Sequence, residues 1–171
     1  MKGLLFAFFA SVSLWAQSAP DVFEIARRGT ESQAKEALSQ NKNCFSIVND
    51  EGFTPLILAC YKGNVPVAKC IIQSEAAINF NSSYGTALMA ATVKGNVALV
   101  QLLLEHHADP NLSDGQGNTA LIYAAMFQNL PIIKLLLAYG VQRDAKDASG
   151  LTAFEHAVKT GNEELINLLK H

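Results

Sequence analysis

A chain of 171 residues, half of them apolar and 16% charged, has the composition of one globular domain with a usable core, not of a disordered segment. Its formal net charge is −2, with Lys and Arg spread thinly and no basic run, so the clustered positive footprint of a nucleic-acid binder is missing.

The chain opens on MKGLLFAFFASVSLWAQSAP: Lys2, an apolar run from Gly3 to Trp15, then small and polar residues. The run is shorter than the roughly 20 residues that cross a bilayer, so residues 1–16 read as a cleavable secretory signal. Cleavage after Ala16 is preferred, while a cut as late as Ser18 places Ala16 instead of Leu14 at the −3 position. The competing reading is an uncleaved anchor or a buried N-terminal helix. The first cysteine is Cys44, so no lipid-anchored start is indicated. The expected location is the periplasm or the extracellular space, with no membrane insertion after the signal is removed.

Beyond this leader one phrase is written four times: GFTPLILACYKGN from Gly52, YGTALMAATVKGN from Tyr84, GNTALIYAAMFQN from Gly117 and GLTAFEHAVKTGN from Gly150. Their threonines, Thr54, Thr86, Thr119 and Thr152, are 32, 33 and 33 residues apart, and a fixed period of that size marks a stacked repeat fold. Each threonine precedes an apolar-periodic run, where its hydroxyl can accept from a first-turn amide as a helix N-cap. Pro55 follows Thr54 at the first helical position, where a missing N–H costs nothing. Ala87, Ala120 and Ala153 hold that slot in the other copies and are strong helix formers. Thr152 and Glu155 form a capping box.

Five residues past each threonine stands alanine: Ala59, Ala91, Ala124 and Ala157. A slot kept that small predicts close approach of helix backbones from successive copies. Gly63, Gly95 and Gly161, each followed by Asn, are helix-ending and turn-making; Gln128 is the exception. A second helix follows in each copy, with Cys70-Ile71-Ile72, Leu102-Leu103-Leu104, Leu135-Leu136-Leu137 and Leu168-Leu169 in a wide apolar stripe. NDEG, DGQG and DASG, at 49–52, 114–117 and 147–150, have Asn or Asp at i and Gly at i+3, which favours a type I turn. Each unit is thus turn, helix, turn, helix, and none can bury its apolar face alone.

These residues resemble the ankyrin repeat. Thr54-Pro55-Leu56 matches the opening of its first helix, with Thr-Ala-Leu at 86–88 and 119–121 a weaker match, and Ala108-Asp109-Pro110-Asn111 looks like its closing segment. The histidine usual after Thr-Pro-Leu is replaced by Ile57, Met89, Ile122 and Glu155, and the glycine expected before the closing segment survives only as Gly140, with Glu75 and His107 in the matching places. The second hairpin is one residue short. The resemblance implies an all-α solenoid of stacked helix-turn-helix units joined by hairpin-like loops over 21–171. Its divisions are a degenerate first repeat (21–48), full repeats at 49–80, 81–113 and 114–146, and a capping repeat (147–171) whose Glu163, Glu164, Asn167 and Lys170 face water.

The resemblance also implies a non-catalytic module whose concave face binds another protein. Its variable contact positions fall on Asp50, Glu51, Phe53, Tyr61 and Lys62 in the first full copy and on Ser83, Val93 and Lys94 in the second. In the third they fall on Gln116, Asn118, Met126 and Phe127, and in the fourth on Ser149, Leu151, Lys159 and Thr160. Phe53, Tyr61, Met126 and Phe127 lie outside the repeated core slots, and aromatic or Met side chains freed from packing are typical binding anchors. The implied state is a monomer with a protein partner and no cofactor.

A second reading is a small redox or metal-handling protein. Cys60 and Cys70 flank the Gly63-Asn64 turn on successive helices, where a disulfide is conceivable in an oxidising compartment, although neighbouring helix axes often hold such residues too far apart. His106, His107 and Asp109 form the nearest thing to a metal cluster, but adjacent helical residues point about 100° apart and cannot share an ion without a break in the helix. His156 stands alone and reads as a polar side chain on the groove face. No nucleophile-elbow, phosphate-loop or HExxH sequence is present.

Overall fold

The computed structural model describes residues 21–74 and 76–170. The expected secretory signal therefore lies outside the described residues. Among these, ten helices and no strand are found, with isolated bridges only at Ser82–Gly85 and Ser113–Thr119. The helices come in pairs: α1 (Val22–Arg28) with α2 (Glu31–Gln40), α3 (Pro55–Lys62) with α4 (Val65–Gln73), α5 (Ala87–Val93) with α6 (Val97–Glu105), α7 (Ala120–Met126) with α8 (Leu130–Ala138), and α9 (Ala153–Thr160) with α10 (Glu163–Leu169).

The threonine caps form as expected. Thr54, Thr86, Thr119 and Thr152 each accept a hydrogen bond from the amide three residues on, and Thr152–Glu155 is a full capping box. The asparagines after the glycines do more than make a turn. Asn96, Asn129 and Asn162 cap the second helices by accepting from Leu99, Ile132 and Leu165 amides. Asn64 instead donates to the carbonyl oxygens of Ile25, Ala26 and Gly29, tying the α3–α4 turn to the end of α1.

First helices stack in one row, α1 on α3, α3 on α5, α5 on α7 and α7 on α9, while α2, α4, α6 and α8 make the second row. Ala59, Ala91, Ala124 and Ala157 are all fully buried, as the close approach of that first row requires. Between the rows Leu56, Ile71, Leu88, Leu103, Leu121 and Leu136 are sealed from water. Truncating any one of them to Ala would cost about 2–5 kcal/mol. At the far end Glu163, Glu164, Asn167 and Lys170 are exposed, and Glu164 reaches Lys134 of α8 at 3.6 Å.

The turns NDEG, DGQG and DASG close with amide bonds from Gly52, Gly117 and Gly150 to the carbonyls of Asn49, Asp114 and Asp147. The second hairpin is shorter, with Ser82 and Gly85 exchanging both backbone bonds around Ser83-Tyr84. Gly85 has φ +99, and a Cβ there would run into the Met89 sulfur. Successive loops are laced together by asparagines: Asn79 Oδ1 accepts the Asp109 amide at 2.8 Å, and Asn111 Oδ1 accepts the Gln142 amide at the same distance.

Two slots keep a glycine geometry without glycine. Gln128 has φ 54 where the other copies have Gly63, Gly95 and Gly161, and His107 has φ 65 where the next copy has Gly140. The stack imposes left-handed backbone there whichever side chain is present.

Candidate binding groove

The hairpins and the first-row helices line a groove of about 630 Å³. Phe53 and Glu51 enter it from the first hairpin, Tyr61 and Lys62 from the end of α3, Val93 from α5, and Phe127 from the end of α7. All six were expected from sequence. Its floor is Ile57, Leu58, Met89 and Ala90, with Arg27, Tyr84 and Tyr123 completing the walls.

The aromatic side chains are arranged in pairs. Phe53 and Tyr84 have ring centroids 5.0 Å apart, and Tyr123 and Phe127 stack at 6.5 Å with an interplanar angle of 15°. Tyr84 is 67% exposed, Phe127 55% and Tyr61 47%, so these rings project from the core instead of completing it. Lys94 lies over the Tyr61 ring, its Nζ 4.9 Å from the centroid, and Lys62 Nζ is 5.9 Å from the same centroid.

Tyr84 is a residue the sequence reading passes over. Counting back from Thr86 gives Ser83 as the contact position, but this hairpin is one residue short. Counted from the start of the turn, Tyr84 occupies the slot of Glu51, Gln116 and Ser149. Tyr123 was also missed; its hydroxyl donates to Asp114 Oδ2 at 2.5 Å and leaves the ring against Phe127. Burial, reinforced by the Asp114 carboxylate, pushes the Tyr123 pKa up to about 12.

The remaining expected residues lie away from the groove or serve the scaffold. Asp50 is exposed at the first hairpin tip, Met126 is exposed beside Phe127, and Lys159 is exposed on α9. Gln116 offers its backbone carbonyl to the Ala148 amide at 2.7 Å, as Ser83 does to Gly115 at 3.0 Å. Asn118 is engaged with both carboxylate oxygens of Asp114, and the Leu151 amide with Asp147. Ser149 donates its amide to Asp147, and the Thr160 hydroxyl donates to Ala157. The groove thus gathers contact residues from the first three copies, not the fourth.

His156 is not solitary. Its Nε2 lies 2.7 Å from Asp147 Oδ2, the counterpart of the Tyr123–Asp114 bond one repeat earlier. The second reading finds little to build on. Cys44, Cys60 and Cys70 are free thiols, and burial pushes the Cys60 thiol up to about 12, far from the thiolate that redox chemistry needs. His106 ends α6, His107 is turned left-handed, and Asp109 is bonded to the Asn111 amide. Among the described residues no three His, Cys, Asp or Glu side chains are grouped to hold a metal ion, and no helix is long and apolar enough to cross a membrane.

A family model for ankyrin repeats (three copies) matches residues 22–114 and 94–171. The rat ankyrin repeat and SAM domain-containing protein 6 is 37% identical over 103 residues, which is 59% of this chain and 12% of that protein. A putative ankyrin repeat-containing protein of Treponema pallidum is 28% identical over 67% of the chain and 39% of its own length, and the Escherichia coli putative ankyrin repeat protein YahD is 38% identical over 45% and 40%. The chain therefore spans from an eighth to two fifths of these relatives. With the repeated caps, buried alanines and hairpin turns already in place, the match over nearly all the described residues is decisive: the chain belongs to the ankyrin-repeat family.

Proposed function

We propose that this protein is a non-catalytic interaction module that captures another protein through its concave groove, acting in an exported compartment. The observation that supports it best is the exposed aromatic set, Tyr61, Tyr84 and Phe127, gathered with the partly buried Phe53 on one apolar groove by different loops and helix ends. Half-exposed aromatic side chains add little to the core, while buried in a partner they are the side chains that dominate interface energetics. The protein acts as a monomer that assists or restrains its partner by occupying it.

The test is crosslinking and affinity capture in the native host with Tyr61→Ser and Phe127→Ser combined. Capture of the wild-type partner should be lost while helical circular dichroism is unchanged; undiminished capture would remove the groove from the function. Export is tested separately, by fractionating the host and sequencing the mature N-terminus, which should begin at Gln17 or Ala19.

A further inference from the structure

We infer that the groove receives a partner segment in which an aromatic or large apolar side chain is flanked by carboxylates; this rests on the groove being the binding face. The apolar half of the requirement follows from the floor, where Ile57, Leu58 and Met89 offer no hydrogen-bonding side chain beneath the aromatic walls. The acidic half follows from the charges on the helix-end wall. Lys62 is the last residue of α3, and Lys94 caps α5. Both ammonium groups gather at one exposed ring, 5.9 and 4.9 Å from the Tyr61 centroid.

Neither lysine has a carboxylate partner among the described residues, whereas Lys35 and Lys134 do. Arg27, on the same wall, is already engaged at 3.9 Å by Glu24. Two like charges placed at one ring leave the spot with uncompensated positive charge, which the ring quadrupole offsets only weakly in water. A carboxylate arriving beside either ammonium group is attracted by both and makes charge-assisted hydrogen bonds at the edge of an apolar site. That positive spot is local, since the protein as a whole carries a net charge of −2. Glu51 stands on the hairpin wall, bonded to the Asn49 side-chain amide. It places the acidic side of the groove opposite the lysines and gives the bound segment a direction: carboxylates toward the helix ends, uncharged edge toward the hairpins.

The experiment uses the full chain and three fluorescent, end-capped decapeptides that share a central Leu-Phe pair flanked by Glu, by Ser or by Lys. In low salt the Glu-flanked peptide should bind about tenfold tighter than the Ser-flanked one, as expected from two screened charge contacts, and the Lys-flanked peptide weakest. Lys62→Gln combined with Lys94→Gln should bring the Glu and Ser peptides to within about threefold of each other without changing circular dichroism. Equal binding of all three, a preference for Lys, or no binding by any overturns the inference. Equal binding that is lost in the Tyr61→Ser, Phe127→Ser protein would overturn the charge rule alone and leave the groove as a binding face. Other occupants are resolved by a photoreactive p-benzoylphenylalanine at position 127. A crosslink to the Glu-flanked peptide supports the inference, whereas crosslinks to residues 1–20 or to a second copy that the peptide fails to displace overturn it.

Discussion

Asp147 holds His156 through a 2.7 Å contact between Oδ2 and Nε2 while its Oδ1 accepts the amides of Ser149 and Leu151. One carboxylate thus organises a hairpin turn and fastens it to the first helix of the same repeat. The Leu151 amide and then His156 hold its pKa below the ordinary carboxylate value of about 3.9. A depressed folded-state pKa means the stabilisation is complete above that ordinary value and disappears as pH falls through the lower folded one. Urea midpoints should therefore drop as pH falls below about 4, and Asp147→Asn should flatten that drop. Glu155, depressed by its capping contacts, and Glu31, depressed by its bond to Lys35, contribute to the slope that remains. An unchanged acid slope in the variant would show that Asp147 is not a linkage group.

Most of the scaffold was legible because the repeat writes each backbone demand several times. Thr54, Thr86, Thr119 and Thr152 announce caps by position, and Ala59, Ala91, Ala124 and Ala157 announce contact by size. The site was only partly legible, since its residues are those that vary. Phe53, Tyr61 and Phe127, which line the groove, could be singled out because they are aromatic side chains outside the repeated core slots. Tyr84 was missed because a one-residue deletion shifts the turn against the threonine, and the hairpin keeps register with its own start. Asn64 and His156 were missed because their partners, Gly29 and Asp147, are distant in sequence or belong to another element.

Gln128 should be replaceable by glycine with a gain. Its φ of 54 costs a non-glycine residue about 1–2 kcal/mol, against about 0.5–1 kcal/mol of unfolded-state entropy that glycine adds. Its side chain contributes only a 3.3 Å exposed hydrogen bond from Asn162. Gln128→Gly should raise stability by about 0.5–1 kcal/mol, read from the urea midpoint at constant slope. His107→Gly should behave alike, since its φ is 65. Loss of stability in both would mean the left-handed slots are not strained.

The two neighbouring alanines of α5 should separate packing from binding. Ala91 is fully buried between first-row helices, so Ala91→Leu should destabilise by about 1–3 kcal/mol or more. Ala90 is half-buried and lines the groove, so Ala90→Leu should change stability by no more than about 0.5 kcal/mol while obstructing partner capture. Parallel urea melts and pull-downs check both. If Ala90→Leu melts early or binds normally, the division of that helix into a stacking face and a groove face is wrong.

Tyr123 connects the same two functions within one side chain. Its hydroxyl fastens Asp114, and its ring backs Phe127 in the groove. Because its folded-state pKa is raised to about 12, above the ordinary value near 10, the folded protein keeps this proton more tightly than the unfolded chain. The associated stability is fully present below about pH 10 and is lost as pH rises through about 12. Tyr123→Phe should remove that alkaline decline and cost about 1 kcal/mol at neutral pH, since Asp114 still accepts the Gln116 and Asn118 amides. Partner capture should survive, because the ring remains. Capture lost together with the alkaline slope would mean that the hydroxyl, not the stacked ring, positions Phe127.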